Sequence, residues 1–134
     1  MEDKSHLESG FRINNLILVE SNFYRINNVS FSSEVNNNLD VTVDVSVKDK
    51  IITVSETVTI IQKFQNVEQV TIAVRMIGIF ESIGDSKLTD FNEFGKINGA
   101  AIIFPFIREH ITNLSLKSGI GPIIIPPINF TKNS

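Results

Sequence analysis

Residues 39–48 read LDVTVDVSVK. Leu39, Val41, Val43, Val45 and Val47 fall on one parity, and Asp40, Thr42, Asp44, Ser46 and Lys48 on the other. Ten residues of strict period two specify a strand with one buried and one wet face. Asp49-Lys50 then reads as a hairpin turn, without the glycine such turns favour. The next stretch, IITVSETVTIIQKFQ (51–65), puts Ile52, Val54, Val58 and Ile60 on one face. Glu56 shares that parity, where semi-burial would raise its pKa, and no partner for it is identifiable in the sequence. Asn66 marks a second tight turn before VEQVTIAVRMIGIFES (67–82). There Val70, Ile72, Val74, Met76 and Phe80 share a face, while Ala73, Ile77 and Ile79 make the other apolar too. Such a strand is expected to be covered on both sides near its end.

Upstream, FRINNLILV (11–19) places Phe11, Ile13, Leu16 and Leu18 on one side if a bulge is allowed at Asn14-Asn15. Residues 23–31 read as short extended pieces. Residues 1–10 are charged and polar and read as a leader, with a single domain over 11–134. Downstream, the strand pattern breaks over residues 83–86. Asp90 and Glu93 stand at capping-box spacing around one helical turn. A long helix is expected over 99–117, with Asn98 as N-cap and Ser118-Gly119 as stop. Pro105 lies inside it and should kink it or loosen a backbone bond. IGPIIIPPINF (120–130) is held extended by Pro122, Pro126 and Pro127. The fold class is α+β: a four-stranded antiparallel sheet, one long helix packed on one side, and an extended Pro-rich C-terminal segment.

The helix carries an apolar stripe of Ile97, Ala100, Ala101, Phe104, Ile107, Ile111 and Leu114. Ile102, Ile103 and Phe106 fall outside it, so the first half is apolar nearly all round. Burying three such side chains is worth about 1.5–3 kcal/mol each, which points to oligomerisation through this helix.

Composition removes several function classes. The chain has 134 residues, no cysteine and a net charge of −3. Disulfides, thiol chemistry and Cys-based zinc sites are therefore excluded, and nucleic-acid binding is disfavoured. The longest apolar run, Ala100–Ile107, is far short of a membrane span of about 20 residues. The N-terminal residues lack the apolar core of a signal peptide, so a cytoplasmic location is expected. His6 and His110 make no metal pair, and Arg108-Glu109-His110 diverge around a helix instead of converging. No phosphate loop and no Ser–His–acid set is present, so neither enzyme chemistry nor a cofactor or metal is expected.

From Ala101 onward, AIIFPFIREHITNL and the Pro-broken tail ending PINF resemble the SecB family of protein-export chaperones. The matching residues are Phe104, Pro105, Phe106, Arg108, Glu109, Ile111, Gly119, Pro127, Asn129 and Phe130, with Gly78-Ile79-Phe80 upstream. The resemblance implies an ATP-independent holdase for unfolded polypeptides, acting in protein export. It implies a homotetramer in which first strands pair into dimers and long helices are sandwiched between two dimers. Client contact is expected at Val29, Phe31, Phe94, Ile97, Ile123 and Ile125, and assembly contact at Leu16, Leu18, Ile103, Phe106 and His110. The chain stops four residues after Phe130, where family members commonly continue into another helix and an acidic tail, so a short form is expected. Of the family's acidic patch for the translocase motor ATPase, Glu20 matches, whereas Tyr24 and Ala73 stand where acids are expected. That departure keeps open a dedicated chaperone of an antitoxin in a toxin–antitoxin system. A third reading is a small-ligand or structural domain that shares the fold.

Overall fold

The computed structural model describes residues 10–83 and 91–130. The leader up to residue 9, His6, the break at 84–86 and Asp90 with its capping box lie outside them. Four strands, β1 (Phe11–Arg25), β2 (Asn36–Lys48), β3 (Ile51–Phe64) and β4 (Val67–Ser82), form one antiparallel sheet in the order β1-β4-β3-β2. A short helix, α1 (Phe91–Phe94), runs through a π-helical turn (Gly95–Gly99) into α2 (Ala100–Lys117). The two hairpins turn where the sequence places them. Asp49 takes φ 56°, and Gln65 and Asn66 take φ 50° and 64°. Left-handed φ at both of the latter suits the right-handed twist of the flanking strands.

The alternation in β3 and β4 maps directly onto burial. Ile52, Val54, Val58, Ile60, Val70, Ile72, Val74 and Phe80 are all buried on the face that α2 covers. The strand β1 departs from expectation in length. It runs unbroken to Arg25, because residues 20–25 continue the ladder along β4 from Arg75 to Val70. Its register slips between Ile13 and Asn15, as the sequence pattern requires, and again between Leu18 and Glu20. Ile77 and Ile79, expected under a second layer, are half-buried, and the described helical residues all pack on the opposite face.

The helix also departs from its expected phase. Gly99, not Asn98, stands before α2, and both Phe94 and Gly99 already have helical dihedrals, so no side-chain cap forms. The buried stripe of α2 is Ala100, Ile103, Phe104, Ile107, Ile111 and Ser115. Ala101, expected inside the stripe, is exposed. Three glycines set this close approach. A Cβ on Gly78 would stand 2.8 Å from Cδ1 of Ile103, one on Gly99 2.9 Å from Val54, and one on Gly95 2.7 Å from Val45. Pro105 removes the amide that the Ala101 carbonyl would accept, and both residues lie on the exposed side, where water can replace it. Ser118 ends α2, with its N–H on the Leu114 carbonyl at 3.1 Å, and Gly119 follows at φ 78°.

The tail, residues 119–130, runs back along α2. Ile123 N–H donates to Ser115 Oγ at 2.9 Å, and Thr112 Oγ1 donates to the Ile123 carbonyl at 3.2 Å. Phe130 meets Phe104 edge-on at 5.8 Å. No described helix is long and apolar enough to cross a membrane.

Candidate functional site

Among the apolar surfaces that the described fold leaves uncovered, two are each built by a different device. The first lies at the β1–β2 crossover. Gln69, 2% exposed on β4, accepts from Ser30 N–H at 2.9 Å through Oε1 and donates through Nε2 to the Ser30 carbonyl at 3.0 Å and to Gln62 at 2.8 Å. One side chain thus mimics a strand edge and pins the loop. Arg25 does the same from below, donating to the carbonyls of Ile26, Asn27 and Ser118. The result is an open groove of about 480 Å³ whose walls include Val29, Phe31, Phe64 and Val67. Phe31 is 71% exposed and Val67 58%, while Val29 is half-buried at the rim of the core.

The second surface joins β1 to the flank of α2. Ile102, Phe106 and His110 are four residues apart and form one row along the helix. His110 Nε2 bonds Ser21 Oγ on β1 at 2.8 Å, which fixes that row beside the strand. Leu16, Leu18 and Ser21 pair with Gly78, Met76 and Val74, so they face the helix side of the sheet. Leu18 is 44% exposed and Phe106 51%. Ile13 and Ile102 are exposed to a similar degree and extend the patch.

Several expected site residues have no surface to offer. Ile103, expected at an assembly interface, is fully buried against Gly78, and Ile102 takes the outward place. Phe94, expected at a client groove, stacks on Phe11 at 3.9 Å and meets Phe80 edge-on at 5.7 Å inside the core. Ile123 and Ile125 also point inward, and Ile124 between them is 79% exposed. In an extended segment a shift of one residue exchanges the two sides, and the Ser115–Ile123 bond sets which one is in. Ile97 is half-buried. Sequence reasoning missed Gln69, Ser115 and Arg25, since a lone polar residue gives no sign of the loop or tail it will hold.

Glu20, the matched acid of the motor patch, does not stand free. Its carboxylate accepts from Asn22 at 2.7 Å and lies 3.6 Å from Arg75. Beneath α2 the anomaly is Glu56. Its side chain is fully buried, and neither carboxyl oxygen has a hydrogen-bond partner among the described residues. Loss of hydration pushes its pKa from 4.5 up to about 8, so it is held mainly as the neutral acid at neutral pH. Among the described residues no group of His, Asp and Glu is arranged to hold a metal ion.

Residues 8–132 match the family model for SecB, described as preprotein translocase subunit SecB. The fold is similar to that of a SecB-like chaperone of Mycobacterium tuberculosis, solved in complex with a ChAD peptide from the HigA1 antitoxin. That likeness has a TM-score of 0.75 and 14% identity, and covers 92% of this chain and 95% of that one. A protein of unknown function from Streptococcus agalactiae aligns with TM-score 0.51 and 9% identity, over 87% and 96% of the two chains. An uncharacterized protein of Methanocaldococcus jannaschii is 37% identical over 60 residues, 45% of this chain and 38% of that relative's length.

Proposed function

The chain belongs to the SecB family, and on that premise we propose that it is an ATP-independent holdase for unfolded polypeptides, working as a cytoplasmic homotetramer. The observation that carries this reading is the crossover groove. A holdase needs apolar side chains kept in water on a rigid frame: the bonds of Gln69 and Arg25 hold the loop that carries Phe31, and the β3–β4 ladder holds Val67. Val29, Phe31, Phe64 and Val67 contact the client, with Ile97 and Ile124 as further apolar positions. Leu16, Leu18, Phe106 and His110, with Ile13 and Ile102, make the contact between subunits. Several grooves in one assembly hold a single client at effective concentrations of about millimolar, so each site can bind weakly.

The test is light scattering from a denatured protein diluted with and without this chain, lacking ATP. Suppressed aggregation at near-stoichiometric tetramer is the expected outcome. No suppression by an intact tetramer would overturn a general holdase.

A second reading is a dedicated chaperone of an antitoxin. It is favoured by the state of Glu20, which Arg75 and Asn22 already engage, beside Tyr24 and Ala73 in place of acids. Docking on the translocase motor would then be weak. It is supported further by the SecB-like fold neighbour, whose bound peptide comes from an antitoxin. Pull-down with the purified motor ATPase separates the two, since retention would favour export.

A further inference from the structure

The helix layer is attached to the sheet unevenly. On the β1 flank it is tied by hydrogen bonds, His110 to Ser21 at 2.8 Å and Arg25 Nη1 to the Ser118 carbonyl at 2.6 Å. The flank over β3 is closed by packing, with Val41, Val43 and Val45 of β2 half-buried at its edge. There the tail is fastened to α2 through Ile123 and Phe130, so it moves with the helix. Glu56 sits under this second flank, midway along β3, paired in register with Val43 of the edge strand β2 and with Met76 of β4. The next rung on the same face is Val54–Gly78, on which Gly99 and Ile103 pack, so the start of α2 sits beside the carboxyl.

We propose that Glu56 is a proton-controlled latch: while its carboxyl is protonated the α2 layer stays closed over β2 and β3, and on ionisation that layer swings open about the β1 flank. A buried carboxylate with no donor must be hydrated, and the system relaxes by the smallest opening that admits water. The strands resist through their ladders, whereas the covering layer resists through side-chain packing on that side. Among the described residues no charge compensates inside. Val43 and Met76 face Glu56 from the neighbouring strands. On α2, half-buried Arg108 is engaged over the Phe104 ring at 5.9 Å, and His110 turns to Ser21. Arg25 of β1 is committed at the far end to Ser118, and residues 119–130 carry no titratable side chain. The elevated pKa of the closed state means that opening is favoured progressively as pH rises from about 4.5, and fully by about pH 8. The latch deepens the holdase reading: the opened flank adds the valines of β2 and β3 to the client surface, so client affinity rises with pH.

The test compares the wild-type chain with Glu56→Gln, a neutral isostere, at pH 4.5 and 9.0. Hydrogen exchange over 103–115 is expected to be at least about tenfold faster in the wild type at pH 9.0, and within about twofold of the variant at pH 4.5. Pairing the two proteins at each pH cancels the intrinsic pH dependence of exchange. Affinity for a permanently unfolded probe, reduced and carboxymethylated α-lactalbumin, should rise at least about tenfold in the wild type and stay flat in the variant. Equal exchange at pH 9.0 overturns the latch, as does acceleration spread evenly through β3 and β4. Localised opening without any change in affinity confines the latch to a conformational role and overturns its link to clients. Localised opening with no client bound by either protein at either pH leaves the latch standing and overturns the holdase reading.

Discussion

The two flanks of the helix–sheet interface are built on opposite principles. Along β1 the helix is hydrogen-bonded to the sheet, and the apolar side chains Leu18 and Phe106 are left in water. Along β3 the apolar side chains are buried, with the β2 valines half-buried at the edge, and a carboxyl is buried among them with no hydrogen-bond partner among the described residues. The first flank is anchored and adhesive, and the second is dry and strained electrostatically. A surface that binds other chains can be stable in water only if its frame is fixed by other means, which β1 achieves with its long ladder to β4. A flank that must open needs the reverse, weak attachment and an internal reason to separate.

The largest expected effect breaks the adhesive flank. On the assembly proposed above, Phe106→Asp puts a charge into the contact between subunits, where each phenyl is worth about 1.5–3 kcal/mol. The native mass should fall from tetramer to dimer or monomer, and an unchanged mass would remove this row from the interface. The dry flank responds next. The pKa of Glu56 is raised in the folded state, so its contribution to stability is full below about pH 4.5, declines as pH rises, and levels off above about pH 8. Replacing it by Val should therefore raise stability by about 3 kcal/mol at pH 7, read from urea unfolding, and abolish that slope. A variant no more stable than the wild type would mean that the carboxyl finds a donor.

A smaller change tests the approach that both flanks share. Gly78→Ala sets a Cβ against Ile103 and Phe80 at under 3 Å, which should cost about 1–3 kcal/mol of stability. A thermal midpoint equal to that of the wild type would show that Ile103 can move aside freely. Smallest is the loop groove, away from both flanks. Gln69→Ala removes the bonds to Ser30 and should cost about 1–2 kcal/mol, with faster exchange confined to residues 26–35 and weaker client binding. Tight client binding by that variant would separate the groove from the client site.

Much of this comparison was legible in the sequence and some of it could not be. Alternation in 39–48, 51–65 and 67–82 specifies the strands, because a pleated ribbon has one side-chain period and one buried face. The bulge at Asn14-Asn15 follows from the same period, since Ile13 and Leu16 share a face only across a slip. The phase of the helix was not readable. Ala101 and Ile103 compete for the same side, and the choice falls to Ile103 because Gly78, 25 residues earlier, leaves a hollow for it. The tail fails for the same reason, as Ile123, Ile124 and Ile125 are alike until Ser115 selects one.

By itself the sequence determined the four strands and their inward faces, the amphipathic helix, the Pro-held tail and the family motif of residues 101–130. These are local properties, written in the spacing of neighbouring residues. Tertiary structure decided which side of the helix meets the sheet, which apolar residues remain in water, how Gln69 and Arg25 hold the crossover loop, and that Glu56 is sealed without a partner. Those outcomes depend on volumes and hydrogen-bond partners brought together from distant parts of the chain, and no local period encodes them.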